Sequence, residues 1–283
     1  MNVVDTYPAI LTAYDGTCFS FEKWKKYIDF VLPDIFQMLV SDVQKCLETG
    51  KVSWDRDYFP VLNNVVNNNV LRENAHVSFC KATENLEHTL YFQFGKKLDV
   101  DIIFYLGLCN GAGWVTEYNG HNVILLGIEK IMELKWCSLD DMYGLIYHEL
   151  GHIYQKQYGI LKRTFNNNTD SFLWQLFTEG IAMYFEQCLI GSANYYHQDK
   201  DGWKVWCDDH LEQIKVDFSH DMKTMTFADQ RYFGDWVMYN GHCDVGYYLG
   251  CQFVRYILSM YGLDEVICFD IGMVKNLFKQ YVQ

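Results

Sequence analysis

The sequence predicts an α+β fold, mostly helical, with one small sheet ahead of a pair of long helices. Three observations carry that expectation. Apolar residues recur at helical spacing through most of the chain. Two short β-type runs, residues 102–106 (IIFYL) and 122–126 (NVILL), interrupt that pattern near the middle. Nothing resembling a linker divides the 283 residues, since only 3 Pro occur and there is no Gly/Ser-rich stretch and no internal repeat.

Taken in order, residues 21–47 read as two helices separated at Pro33, whose ring cannot continue a helix. The Asn-rich patches at 63–69 and 166–168 read as loops. A helix is expected over 85–97. The two β-type runs follow, joined by a Gly-containing loop at 109–113 that continues to Gly120. Ser138 or Asp140 can cap the next helix, which stops before Gly159. Thr169-Asp170-Ser171 resembles an N-cap leading into 172–190, closed by Gly191. Further helices are expected over 203–216, 245–261 and 273–281. The expected organisation is a helical N-terminal region over 1–100, packed on a core over 101–283.

A formal charge of −13 argues against a nucleic-acid or anionic-membrane binder, because both need clustered Lys and Arg and only Lys23, Lys25 and Lys26 cluster. No secretory leader and no membrane-length apolar run is recognisable, so a cytoplasmic protein is expected. The 10 Cys form no CxxC pair, which argues against a disulfide framework or a Cys-ligated zinc. Most are expected to be reduced, buried, small hydrophobes. The 17% aromatic content suits a core of large side chains.

The chemistry sits in residues 147–154, YHELGHIY. On a helix, positions i and i+4 share a face, so His148 and His152 can present two imidazoles to one ion. Glu149, displaced by one residue, would stand beside that ion as a general base. Zinc suits such donors and keeps a position open when catalytic. Two histidines do not complete a site, however. A third ligand is available in Glu179 of TEGIAMYFE, on the following helix, where apolar neighbours make an unbalanced carboxylate costly. Glu186, seven residues on, could orient a ligand or face solvent. The other histidines show no ligand spacing with one another.

His148-Glu149-Leu150-Gly151-His152 followed by Glu179-Gly180 and Tyr184-x-Glu186 resembles the gluzincin metallopeptidases, nearest the bacterial domain family of predicted zinc-dependent proteases, and more distantly the aminopeptidase N type and thermolysin. The resemblance covers roughly residues 100–262. It implies a zincin-like helix pair, one Zn2+ held by His148, His152 and Glu179, and hydrolysis of a peptide or protein substrate. Gly246-Tyr247-Tyr248-Leu249-Gly250 resembles the Tyr-x-x-Gly segment of the aminopeptidase N type, which implies that Tyr247, with Tyr248 or His242 as substitutes, stabilises the oxyanion. By the same likeness, residues 111–114 and 122–127 would line a cleft for extended substrate. Two departures stand out: the interval from His152 to Glu179 is longer than in the better-known enzymes, and Met183 occupies the position where thermolysin has an acid. The same residues would also serve a non-catalytic peptide-binding or regulatory protein that retains the zincin fold.

Overall fold

The computed structural model describes residues 1–234 and 236–283. Its internal packing defines two units, Met1–Glu149 and Leu150–Gln283.

In the first unit, β1 (Asn2–Asp5) leads into the short helix α1 (Tyr7–Ile10) and a small hairpin, β2 (Tyr14–Asp15) and β3 (Cys18–Phe19). Five helices follow: α2 (Phe21–Val31), α3 (Phe36–Glu48), α4 (Phe59–Asn67), α5 (Asn69–Thr83) and α6 (Leu86–Phe94). Then come β4 (Asp101–Tyr105), β5 (Gly113–Tyr118), β6 (His121–Gly127), α7 (Ile128–Glu133) and the start of α8 (Leu139–Tyr158). The main sheet has the order β1-β4-β6-β5. β4 is parallel to both β1 and β6, pairing Ile102 with Val3 and Ile103 with Leu125, whereas β5 is antiparallel to β6, pairing Trp114 with Leu125.

The apolar runs of β4 and β6 are those of strands covered on both faces. Phe79 of α5 stacks on Phe104 of β4 with centroids 4.6 Å apart. Trp24 of α2, fully buried, donates its indole N–H to the Leu106 carbonyl at 3.0 Å, and the Leu106 N–H is taken by the Tyr27 hydroxyl at 3.0 Å.

The second unit contains the rest of α8, then α9 (Asn168–Ile190), α10 (Trp203–Asp221), α11 (Val245–Leu258), α12 (Leu263–Val266) and α13 (Ile271–Tyr281). α9 is apolar around most of its circumference and buries Phe172, Phe177 and Phe185 completely, the signature of a helix packed on several sides. It crosses α11 at Gly180 and Gly250, where a Cβ on Gly180 would collide with the Gly250 carbonyl. Gly151 of α8 meets α9 in the same way: a Cβ there would lie 2.7 Å from Ala182 Cα.

The mostly helical α+β class is what the chain adopts. Several local expectations fail, for physical reasons. Residues 63–69 are not a loop: α4 runs to Asn67, and Asn68 caps α5 by accepting the Leu71 N–H at 3.2 Å. Asn there serves as a cap that separates two helices. The expected loop continuing to Gly120 contains β5, and Asn119 and Gly120 at φ 50° and 78° form the turn of the β5–β6 hairpin. The first hundred residues are not all helical, because β1 joins the main sheet. Nor are most cysteines buried: Cys18, Cys46, Cys80 and Cys268 are exposed, and only Cys137, Cys207 and Cys251 are fully enclosed. Among the described residues, no helix is long and apolar enough to cross a membrane.

Candidate metal centre

α8 begins where Ser138 Oγ accepts the Asp141 N–H at 3.2 Å, with Asp140 and Asp141 in the first turn complementing the helix dipole. Its third and fourth turns carry the motif. His148 and Glu149 are buried there, and His152 lies one turn further along. α9 begins at Asn167, whose side chain accepts the Asp170 N–H at 2.8 Å, and ends at Gly191 in the left-handed conformation, φ 78°. The connection between them is pinned by Trp174, which donates to the Leu161 carbonyl at 2.7 Å. The extra length in this connection is accommodated at the surface, where added loop residues cost little.

The close approach at Gly151 and Ala182 brings the two helices together at the turns that bear the donors. His152 Nε2 lies 3.3 Å from Glu179 Oε2. Two ligands about 2.0–2.1 Å from a tetrahedral zinc stand roughly 3.3–3.4 Å apart, so this spacing is that of neighbouring positions in one coordination shell. His148, His152 and Glu179 each offer a donor atom, all within 4.8 Å of one another. Two imidazoles and a carboxylate are a zinc-type donor set that leaves one tetrahedral position open.

Glu149 faces a different neighbour. A Cβ on Gly113 would lie 2.9 Å from Glu149 Oε1 and 2.8 Å from Leu145 Cδ1, so the carboxylate rests directly on the glycine that opens β5. Among the described residues β5 is an outer strand of the sheet, and an outer strand is the type of backbone that pairs with an extended chain. Of the two segments expected along a cleft, 111–114 therefore leads into the outer strand. The other is corrected: β6, covering 122–127, is paired on both sides, by β4 and β5, and its backbone has no hydrogen bonds left to offer.

The loop ahead of β5 is suspended from a buried acid that the sequence did not bring forward. Glu129 is 1% exposed, and its carboxylate accepts the N–H groups of Gly107 and Cys109, each at 3.0 Å. Burial pushes its pKa up to about 7, against the lowering effect of those hydrogen bonds. Gly107 and Gly127 leave it room, since a Cβ on either would approach Glu129 Oε1 to 2.6 and 3.1 Å respectively.

Near the candidate donors lies a second buried group. Glu186 has no exposed surface, and both its carboxylate oxygens face His197 Nδ1, at 2.9 and 3.0 Å. His148, Glu186 and His197 also have donor atoms within 4.8 Å of one another. Glu186 is thus not solvent-facing, and its partner His197, which spacing could not reveal, has a donor atom near His148. The covered face of α9, seven residues beyond Glu179, was the available signal.

The tyrosines divide. Tyr248 is buried and donates its hydroxyl to Asp208 at 2.7 Å, and His242 stacks on Trp206 at 3.9 Å. Tyr247 stands half-buried on the first turn of α11, edge-on to Phe233, three residues before the Gly250 that abuts Gly180. Comparison with family models, curated proteins and solved structures gives no match, so a functional reading rests on these residues alone.

Proposed function

We propose that the chain is a zinc-dependent hydrolase of the gluzincin type that cleaves amide bonds in a peptide or protein substrate. The observation that carries the reading is the convergence of His148, His152 and Glu179 from two consecutive helices, with a 3.3 Å separation between His152 and Glu179 donor atoms. Zinc, when bound, supplies an acidified water and a Lewis acid for the carbonyl oxygen.

The protein's own groups do the rest. Glu149 takes the proton of the attacking water and passes it to the amide nitrogen as the C–N bond breaks. Its position against Gly113 puts that base at the start of β5, where an extended substrate backbone would pair with the strand edge. Tyr247 is the phenol assigned to the developing oxyanion, since Tyr248 already donates to Asp208.

Zinc content by elemental analysis, combined with a peptide-library digest, tests this reading. Wild-type protein is expected to carry zinc on these three residues and to cleave. Glu149→Gln keeps the zinc and loses about 10²–10⁴-fold in turnover, whereas His148→Ala and Glu179→Ala each lose one equivalent of zinc. Cleavage by Glu149→Gln at the parental rate, or unchanged zinc in Glu179→Ala, would overturn the assignment.

A further inference from the structure

A second set of metal-type donors lies entirely within the first unit. His76 and Cys80 stand at i and i+4 on α5, on one helical face, and Asp5 ends β1 beside them. His76 Nε2 is 2.7 Å from Asp5 Oδ2 and 3.4 Å from Cys80 Sγ, and the three donor atoms lie within 4.8 Å of one another.

The surroundings fix each donor. The His76 ring stacks on Tyr7 with centroids 3.9 Å apart and planes 6° from parallel. Tyr7 is itself held by its hydroxyl's bond to Glu73 at 2.6 Å. Asp5 Oδ1 accepts the Tyr7 N–H at 2.9 Å, which turns Oδ2 toward the imidazole. A Cys–His–Asp set also invites comparison with a nucleophilic triad, but the geometry excludes that. In a triad the acid and the nucleophile address opposite imidazole nitrogens. Here both converge on Nε2, as ligands do around one ion.

We propose that Asp5, His76 and Cys80 bind a divalent ion of the zinc class that clamps β1 to α5. Nitrogen, thiolate and carboxylate together suit zinc, and the two anionic donors balance its charge. On binding, the Cys80 thiol proton passes to solvent and the imidazole proton resides on Nδ1, which frees Nε2 for the ion. The role is structural. β1 is a four-residue outer strand that, among the described residues, pairs with β4 alone, and an ion shared with α5 would tie it on a second side.

Cobalt(II), added to the full-length metal-free protein, distinguishes this site from the one on α8 and α9, because only this one supplies sulfur. A thiolate-to-cobalt charge-transfer band is expected in the wild type and in Glu179→Gln, and is lost in Cys80→Ser and in His76→Gln. Equilibrium dialysis against zinc should show one equivalent fewer in either of the latter variants, whether or not the α8–α9 site binds. Absence of the band at saturating cobalt, or a band and zinc content that survive Cys80→Ser, would overturn the proposal.

Discussion

Glu129 shows how much one side chain can set. Its folded pKa of about 7 exceeds the usual carboxyl value of 4.5 because burial penalises the charge. The folded chain therefore holds this proton more tightly than the unfolded chain. The resulting stabilisation is complete below about pH 4.5 and falls away as pH rises toward 7, by on the order of 3 kcal/mol. Urea denaturation of wild type and Glu129→Gln at several pH values checks this: the stability difference between them should change across that window, and parallel curves would refute it. Glu186 gives a second expectation at the same scale. Its carboxylate holds His197, whose donor atom lies near that of His148; under the proposed assignment this pair would be an outer partner of a ligand, and loss of such partners weakens metal binding by about 10–100-fold. Glu186→Gln should raise the zinc dissociation constant by that factor in a competition titration, with the far-ultraviolet spectrum unchanged. Glu129 was not singled out beforehand, and Glu186 was named with its burial left open, because burial of a Glu depends on which face of a helix other elements cover.

Among the elements, α8 and α9 were the most legible. Ser138 before α8, Gly159 after it and Gly191 closing α9 were written locally, whereas the start of α9 was not: it opens at Asn168, capped by Asn167, so the expected cap Thr169–Ser171 lies inside the helix. Pro33 likewise falls between α2 and α3. The grouping of three candidate donors could be read because His148 and His152 share a helical face and Glu179 lies on the next helix. Elements whose identity depends on partners were hidden. β1 has four residues and becomes a strand only by pairing with β4. β5, GWVTEY, has no apolar alternation, although the Asn119-Gly120 turn signalled its hairpin. His76 and Cys80 share ligand spacing only when the two residue types are considered together, and Asp5 joins them solely through the fold.

The strand and the helix crossing each yield a test. Gly113→Ala places a methyl against Glu149 Oε1 and should lower kcat while zinc content stays at the wild-type level; equal kcat would show that the contact does not position the base. Gly180→Ala puts a Cβ into the Gly250 carbonyl, and overpacking of this kind costs about 1–3 kcal/mol. The thermal midpoint should drop accordingly, and an unchanged midpoint would mean that α9 and α11 can separate freely.

For the molecule as a whole, bound metal and folding are linked. A ligand present at 100 times its dissociation constant adds about 2.7 kcal/mol to the stability of the form that binds it. In a chain of this size that corresponds to a rise of roughly 4–5 °C in thermal midpoint. Calorimetry with and without a chelator should show the shift in wild type and a smaller one in His152→Ala; identical shifts would place the stabilising ion elsewhere.

The peptide bond between Glu149 and Leu150 lies within α8, with His148 on one side of it and His152 on the other. A chain severed there would leave one imidazole and the base on the amino-terminal fragment, and the other imidazole with Glu179 on the carboxy-terminal one. Neither piece inherits a full set of donors. Under the proposed assignment, ion capture at this centre would come to a growing chain only after Glu179 has been made, and a nick in α8 between His148 and His152 would weaken it.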